Sequence, residues 1–422
     1  MESLSKVGNG IVGSEIIKIS QQIKEIAKNK PVANLTIGDF DSKKWPIPFR
    51  LKQLIEKYYE QNYTNYPNSQ GELSLREAVS NYLNSQYELN YKPSEILIGG
   101  GVRPLIYTVY KGTVNQGESV IYPVPSWNNN HYCFLHGATK KEIECKPENS
   151  FFPTVSDIEN SIDDSTSLIC ICSPQNPTGR VIPSETLKGI CEVIIKENKL
   201  RATQVNSRPI YLFFDQIYSD LTDKELFTHP LYVCPEIKNY LICADGISKS
   251  LSATGIRVGW IFGPQDVIGK LTEIFSHIGA WAPKPEQNAV AEFLNEEREV
   301  HKVHTEFTRG EFMYYSSLIC DKIEELKEKG FRVDCQRPEG GIYISVYFDY
   351  AKSFSSSEEF VYHLINTHGL GIVPFEFFGS KENRGWFRIS LGNIDDENID
   401  EIIDIIENSV LKLHQFVNSM VF

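Results

Sequence analysis

The stretch from about Ile96 to about Phe262 alternates short β-rich runs with segments of helical character. Seven runs are strand candidates: EILIGG, ESVIYPV, ATKKEIEC, TSLICIC, IYLFFD, YLICAD and VGWIFG. Such alternation is typical of a parallel or mostly parallel sheet that helices cover on both faces. We therefore predict an α/β fold whose large domain has a mostly parallel seven-stranded sheet between helices.

The pattern changes from about Val300, where a long charged helical stretch begins and runs to Gly330. Strand-like runs GIYISVYFD and GWFRISLG follow, with a helix candidate between them, which indicates a smaller α+β unit. A helix candidate at Ser14–Asn29 is expected to join that unit or a partner subunit. We predict an N-terminal segment of the small domain over residues 1–50, a large domain over 51–300 and a C-terminal small domain over 301–422.

Composition excludes several classes of partner. The net charge is −13 and the acidic residues are scattered, so the surface repels polyanions and nucleic acid is not an expected partner. The first residues do not read as a signal peptide, and the chain has no apolar stretch of about 18 residues that would span a membrane. These features predict a cytoplasmic protein.

The nine cysteines show no regular spacing of a disulfide framework. Cys170 and Cys172 lie on one face of a predicted strand, and we favour buried thiols over metal ligands because no histidine or second cysteine pair completes a site. We predict no metal centre.

The segment GISKSLSATGIRVGW, Gly246–Trp260, carries the most chemical information. Lys249 offers a reactive amine, Ser248 a hydroxyl and Arg257 a fixed cation within a few residues. An amine can bind a carbonyl covalently, and hydroxyl and guanidinium groups hold a phosphate dianion by charge-assisted hydrogen bonds. Taken alone, a serine-rich loop with one lysine is more typical of a solvated turn.

Three further motifs occur in a fixed order around this segment: SPQNPTGRV at Ser173–Val181, FFDQIYSD at Phe213–Asp220 and WFRISLG at Trp386–Gly392. Together the motifs resemble those of class I and II aminotransferases, pyridoxal phosphate enzymes of fold type I in the aspartate aminotransferase superfamily. The resemblance runs from about Gly38 to Gly392. It implies pyridoxal 5′-phosphate as cofactor, a ping-pong exchange of an amino group between an L-amino acid and a 2-oxo acid, and a homodimer with shared active sites.

The resemblance assigns a role to each matched residue. Lys249 would bind the cofactor covalently and then move the substrate proton as a base. Asp215 would pair with the pyridine nitrogen, although a strand-terminal aspartate otherwise caps a helix. Tyr218 and Asn176 would reach the ring oxygen, although packing and a turn are their simpler readings.

The substrate α-carboxylate is expected to bind Arg388 in a bidentate pair, with Asn176 and the segment around Gly38 closing over it. Without the family match, Arg388 reads equally well as a half-exposed sheet residue.

The phosphate is expected at a strand–turn–helix, where the amides of Gly100, Gly101 and Val102 present a helix N-terminus. Arg103 follows this turn and either supports the phosphate or points outward. The resemblance adds Trp127 as the aromatic residue that stacks on the pyridine ring and Tyr66 as a contact to the phosphate of the neighbouring subunit.

The substrate side chain is the least constrained feature. In the best-known aspartate aminotransferases a second arginine binds the side-chain carboxylate near the position of Ile278, where this sequence has none; Lys284 and Arg103 are possible substitutes. We expect aspartate or a related amino acid as substrate. The alternatives are an aromatic amino acid, another pyridoxal phosphate reaction such as β-elimination or cyclopropane formation, and a non-catalytic regulator.

Overall fold

The computed structural model describes residues 4–13, 15–26, 32–205 and 207–419. Thirteen strands occur in this part of the chain: β1 Ala33–Asn34, β2 Ile96–Gly99, β3 Ser119–Val124, β4 Thr139–Glu144, β5 Thr166–Cys172, β6 Tyr211–Asp215, β7 Leu241–Gly246, β8 Gly259–Phe262, β9 Val333–Gln336, β10 Tyr343–Phe348, β11 Leu370–Gly371, β12 Val373–Pro374 and β13 Trp386–Ser390.

The same residues form fifteen α-helices: α1 Lys6–Gly10, α2 Glu15–Ile26, α3 Phe49–Glu60, α4 Leu73–Tyr87, α5 Val102–Thr113, α6 Asn129–His136, α7 Val155–Ser161, α8 Ser184–Arg201, α9 Pro230–Val233, α10 Ile247–Ser250, α11 Gln265–Ile278, α12 Lys284–Glu296, α13 Arg298–Glu328, α14 Ser357–His363 and α15 Ile399–Ser419. The helix predicted at Ser14–Asn29 is α2; Ser14 and residues 27–29 lie outside the described residues.

The seven strand candidates all form strands of one sheet, in the order β2-β8-β7-β6-β5-β3-β4. Six run parallel, and β8 lies antiparallel between β2 and β7. Every residue of the central strand segments Ile169–Ile171 and Leu212–Phe214 is buried, as expected for strands with helices on both faces. The predicted α/β fold with a mostly parallel seven-stranded sheet is confirmed.

The loops that follow the carboxyl ends of the parallel strands lie at one edge of this sheet. Gly100 follows β2, Ser173 follows β5, Asp215 ends β6 and Lys249 lies just beyond β7. Ligands of parallel α/β sheets bind at this edge, because the loops there can vary while the strands hold them in place. The fold therefore gathers the predicted site residues of four separate motifs.

A second sheet of four antiparallel strands, in the order β12-β13-β10-β9, forms the smaller α+β unit. The short strand β1 pairs with β11 in parallel, which joins residues 33–34 to the C-terminal part of the chain. Ile19 and Ile23 of α2 pack into the same hydrophobic cluster as Ile344 and Phe387 of this sheet. The predicted boundaries at residues 50 and 300 stay a prediction, and α13 spans the second of them.

No helix in the described ranges is long and apolar enough to cross a membrane. All nine cysteines are free, seven of them buried, with Cys172 and Cys335 partly exposed.

Candidate active site

Lys249 lies on α10, a single helical turn that follows the buried strand β7. Its Nζ donates a hydrogen bond of 2.7 Å to the carbonyl of Gly38, which comes from the distant N-terminal segment. The amine also lies 5.3 Å from the ring centroid of Phe40 and 5.8 Å from that of Tyr218. The lysine is therefore enclosed between the large sheet and residues 38–40.

This enclosure changes the acidity of the amine. Burial lowers the pKa of Lys249 to about 8; the charge of Asp39 acts in the opposite direction, while Arg388 and Arg103 lower the pKa further. An unperturbed lysine has a pKa near 10.4 and would carry almost no neutral amine at pH 7. The site thus supplies a useful fraction of nucleophilic and basic Lys249 near neutral pH.

Asp215 ends β6 and accepts a hydrogen bond of 3.1 Å from the backbone amide of Ile217. The residue is partly exposed toward the site edge of the sheet, but burial still raises the pKa of its carboxyl to about 6. A carboxylate in such a place is stabilised by a ligand that brings a cationic N–H group. Asp215 therefore suits a protonated ring nitrogen.

Tyr218 lies in the turn after Asp215, and its hydroxyl is 2.9 Å from that of Tyr343 in β10. The two rings meet edge to face with centroids 5.6 Å apart. Burial raises the pKa of both phenols, so both remain protonated at neutral pH. A β-carbon on Gly38 would collide with the Tyr343 hydroxyl, which explains why this segment has glycine where it passes the pair.

Arg388 lies in the middle of β13, between β10 and β12, and is 1% exposed. Its Nη1 donates to Asn176 Oδ1 at 3.0 Å, and its Nη2 donates to the Thr36 carbonyl. The guanidinium is stacked between the rings of Tyr343 and Phe378, with centroid distances of 4.6 and 4.9 Å. The plane of the guanidinium is therefore fixed before any ligand arrives.

The contacts of Arg388 leave its charge without a counter-ion. Both hydrogen-bond acceptors are neutral, Nε has no partner, and no carboxylate of the described residues forms a salt bridge with it. Burial lowers the pKa of the guanidinium, although arginine stays charged in proteins. A buried, uncompensated cation of fixed orientation is a binding site for a carboxylate.

The turn predicted to hold a phosphate lies between β2 and α5. Gly101 has φ +82° and precedes the first helical residue, Val102. A β-carbon at Gly101 would lie 2.8 Å from Cζ of Arg257, so glycine is required for the guanidinium to approach the turn. Arg257 donates to the carbonyls of Gly100 at 2.9 Å and Thr254 at 2.8 Å, and remains exposed.

The phosphate role of this turn stays a prediction, and two of its three amides have acceptors within the protein. The amide of Gly100 does not point toward a ligand, because it donates a hydrogen bond of 2.8 Å to the carbonyl of Ala280. The amide of Gly101 lies 2.7 Å from the Gly99 carbonyl within the turn itself. Of the three predicted amides, Val102 at the start of α5 is the one left for an anion, alongside Arg257.

Trp127 is partly exposed at the opposite wall, with its ring 6.2 Å from that of Phe378. The guanidinium of Arg103 lies 5.3 Å from the Trp127 ring centroid. Arg103 is exposed to solvent, and its charge contributes to the lowered pKa of Lys249. Ser248, beside Lys249 on α10, is half-buried.

Comparison with known proteins agrees with this geometry. Residues 30–406 match the family model described as aminotransferase class I and II. The chain belongs to the class I and II aminotransferase family. Among its relatives are the putative aminotransferase YugH of Bacillus subtilis (strain 168), 30% identical over 85% of this chain and 86% of that protein, and the aspartate aminotransferase of Bacillus sp. (strain YM-2), 28% identical over 96% of each.

Solved structures show the same fold. An aspartate aminotransferase from Thermus thermophilus, solved with maleate, superimposes with a TM-score of 0.85 at 22% identity, covering 97% of this chain and 100% of that one. The fold-type-I prediction is confirmed. The chain is an aminotransferase, an enzyme that moves an amino group between an amino acid and a 2-oxo acid.

Tyr66 and Lys284 of this aminotransferase contact Trp281 and Asn65, respectively. Tyr66 is 84% exposed, and its ring packs edge-on against Trp281 at 5.8 Å. Lys284 Nζ donates to Asn65 Oδ1 at 3.0 Å. Both belong to the exposed surface near the turn at Gly100, which Ala280 and Trp281 border.

Four residues around Arg388 and Lys249 were not predicted from the sequence: Thr36, Asp39, Tyr343 and Phe378. Only Asp39 had a local signal, because it directly follows the predicted Gly38. The others contact Arg388 or Lys249 from distant segments, and their residue types alone indicate a buried core.

Proposed function

We propose that the chain is a pyridoxal phosphate-dependent aminotransferase of L-aspartate or a related amino acid, acting as a cytoplasmic homodimer. The observation that carries the proposal is the half-buried Lys249 amine with a pKa near 8, which lies at the same sheet edge as Asp215 and whose pKa the buried cation Arg388 helps to lower. The names of the relatives support aspartate, and nine free cysteines suit a reducing compartment.

The side chains fit this cofactor. A phosphate suits Arg257, Ser248 and the amide of Val102; the hydroxyl of Ser252, buried and without a partner, lies in the same loop. A protonated ring nitrogen suits Asp215, and an aromatic ring suits the face of Trp127. Bound pyridoxal phosphate supplies an aldehyde that amines attack and a ring that withdraws electrons from the substrate Cα.

The protein performs the remaining steps. Arg388, with Asn176, binds the substrate α-carboxylate and fixes the orientation of Cα. Lys249 Nζ would then accept the Cα proton and release it again within the same half-reaction, and in the second half-reaction it would deliver a proton to Cα of the new amino acid. The Gly38 carbonyl and the rings of Phe40 and Tyr218 shield this amine from part of the solvent.

Arg103 is the residue we propose for a side-chain carboxylate. Its charge acts on the pKa of Lys249 and its guanidinium lies 5.3 Å from the Trp127 ring centroid, whereas the amine of Lys284 donates to Asn65. A dicarboxylate would then bind between Arg388 and Arg103.

The absorbance spectrum tests the cofactor and the reaction together. Purified protein with pyridoxal phosphate is expected to show a visible band that L-aspartate bleaches and 2-oxoglutarate restores. Lys249→Ala should abolish the band, while Lys284→Ala, a lysine removed elsewhere, should keep it. A wild-type protein without the band would contradict the proposal, and a band that amino acids leave unchanged would contradict transamination.

Subunit mixing tests the shared site. If Tyr66 serves the neighbouring subunit, a random mixture of inactive Lys249→Ala and Tyr66→Ala subunits contains hybrid dimers with one intact site, and about one quarter of the wild-type activity returns. If Tyr66 serves its own subunit, neither site of the hybrid is intact and the mixture stays inactive. Sedimentation of the wild-type protein as a monomer would also exclude the dimer.

A further inference from the structure

Residues 35–41 form a connection between the strand that carries Arg388 and the loop that carries Lys249. The carbonyl of Leu35 accepts from the amide of Ser390 at 2.9 Å, and the amide of Asp41 donates to the carbonyl of Gly392 at 2.9 Å. Between these two points the Gly38 carbonyl accepts from Lys249 Nζ. The segment is thus fixed to the small sheet at both ends and contacts the lysine in its middle.

Asp39 fixes the same segment to the lysine loop. Its Oδ1 accepts hydrogen bonds of 2.7 Å from Thr254 Oγ1 and 2.9 Å from the amide of Phe40. Thr254 lies five residues after Lys249, and its carbonyl also accepts from Arg257. The carboxylate therefore has a defined position beside the amine rather than a free rotation into solvent.

Charged residues around Lys249 act in opposite directions on the pKa of its amine. Arg388 on the small sheet and Arg103 on α5 both lower the pKa of Lys249, and Asp39 is the acidic group that acts against them. Tyr218 faces the amine with its ring, and its phenol stays protonated. Burial and Arg103 lower the pKa of Arg257, and Asp39 acts against them, so the Asp39 charge acts on both cations of the lysine loop.

We propose that Asp39 is a positioning residue for Lys249: it holds the Gly38 carbonyl against the amine and supplies the negative charge that stabilises the protonated amine. Its catalytic consequence rests on the proposed function. When the Cα–H bond of the substrate breaks, the proton passes to Lys249 Nζ and the electron pair stays with the substrate. Asp39 stabilises the resulting ammonium, which the neighbouring arginines destabilise.

The first experiment uses the cofactor-free full chain. Acetic anhydride acetylates only neutral amines, so the pH dependence of labelling at the Lys249 peptide, followed by mass spectrometry, gives the midpoint of its titration. The wild-type midpoint is expected near pH 8. Asp39→Asn keeps the acceptor for Thr254 but removes the charge, and should lower the midpoint by about one pH unit.

Three further variants separate charge from structure. Asp41→Asn removes a charge two residues away, where the carboxylate accepts from the amide of Lys43, and should leave the midpoint unchanged. Asp39→Glu keeps a negative charge at this position and should have the wild-type midpoint of Lys249 labelling. Thr254→Val keeps the charge of Asp39 but removes the hydrogen bond from the Thr254 hydroxyl. The midpoint of Lys249 labelling should stay unchanged, while the KM for the amino acid should rise. An unchanged midpoint in Asp39→Asn, or an equal shift in Asp41→Asn, would overturn the proposal.

The labelling result is independent of cofactor binding. If the wild-type protein binds no pyridoxal phosphate, the proposed function fails while the titration of Lys249 still tests Asp39. If the cofactor binds, the pH midpoint of its visible band should fall in Asp39→Asn and remain in Asp41→Asn.

Discussion

Arg388 Nη1 donates to Asn176 Oδ1 across 212 positions of sequence, and the contact joins the two sheets of the molecule. Arg388 belongs to the four-stranded sheet, whereas Asn176 follows β5 of the seven-stranded sheet. A carboxylate that binds this pair contacts both sheets at once. Affinity for substrate therefore depends on how the small sheet is seated against the large one.

Replacing Arg388 by lysine keeps the charge but loses the planar fork that lies between Tyr343 and Phe378. A lysine cannot form two parallel hydrogen bonds to a carboxylate, so kcat/KM for the amino acid should fall about 100-fold, mainly through KM. Steady-state kinetics measures the loss. Arg384→Lys, at a residue that donates to the Ala351 carbonyl, is the matched control and should stay near wild type. Equal losses in the two variants would assign Arg388 a purely structural role.

Asp215→Asn should stabilise the cofactor-free protein at neutral pH. Burial raises the pKa of Asp215 from its ordinary value of 3.8 to about 6, so the folded state holds this proton more tightly than the unfolded state. The corresponding stability is present below about pH 4 and is lost as the pH rises through about 6. The variant should therefore be more stable than wild type by about 3 kcal/mol at pH 7.5 and close to it near pH 4.

Urea unfolding at the two pH values measures this difference. Asp163→Asn is a control of opposite sign, because Lys141 lowers the pKa of Asp163 and its loss should destabilise the protein at neutral pH. If the Asp215→Asn variant were no more stable than wild type at pH 7.5, the carboxyl of Asp215 in the wild-type protein would be well solvated.

Arg103→Gln should separate dicarboxylate substrates from neutral ones. If Arg103 binds the side-chain carboxylate, kcat/KM for aspartate should fall at least about 10-fold, because an ionic hydrogen bond contributes about 1.5–3 kcal/mol. The rate with phenylalanine should change little. Lys284→Gln serves as the control for the other candidate cation. Equal loss for both substrates would instead place Arg103 at the cofactor, and a wild-type enzyme that uses only phenylalanine would exclude the aspartate proposal.

Gly38→Ala should destabilise the protein through one contact. The new β-carbon would meet the hydroxyl of Tyr343, and such overpacking costs about 1–3 kcal/mol. Tyr343→Phe removes the oxygen, so Gly38→Ala should cost less in that background. Urea unfolding of the four proteins of this double-mutant cycle gives the coupling energy, which we expect to be about 1 kcal/mol. If Gly38→Ala lowered the free energy of unfolding equally in the wild-type and Tyr343→Phe proteins, backbone strain would be the cause instead.

The main sheet could be predicted because each strand is a continuous run of apolar residues between helical segments. The run IYLFFD predicted both β6 and the place of Asp215 at its end. The motifs around Lys249, Asn176 and Arg388 predicted residues that the fold brings to one region, and their catalytic roles stay predictions. The antiparallel β8 was compatible with the pattern, which does not encode strand direction.

Contacts between distant segments could not be predicted in this way. The glycine turn predicted an anion site, but the carbonyl that engages the Gly100 amide comes from Ala280, far along the chain. Likewise, a tyrosine in a strand such as β10 reads as core, and only packing shows that Tyr343 meets Tyr218 and Arg388. Such partners depend on how the sheets are seated, which local sequence does not specify.

Because Arg388 has no counter-ion among the described residues, binding of a carboxylate should affect the thermal stability of the protein. A buried cation whose acceptors are all neutral lowers the stability of the folded chain, and any small carboxylate that enters the site relieves this electrostatic strain. Simple carboxylate anions that undergo no reaction would then raise the melting temperature, and the rise would follow the logarithm of their concentration above the dissociation constant. If Arg388 binds the substrate carboxylate as proposed, the same contact would let dissolved carboxylate metabolites protect the enzyme from unfolding.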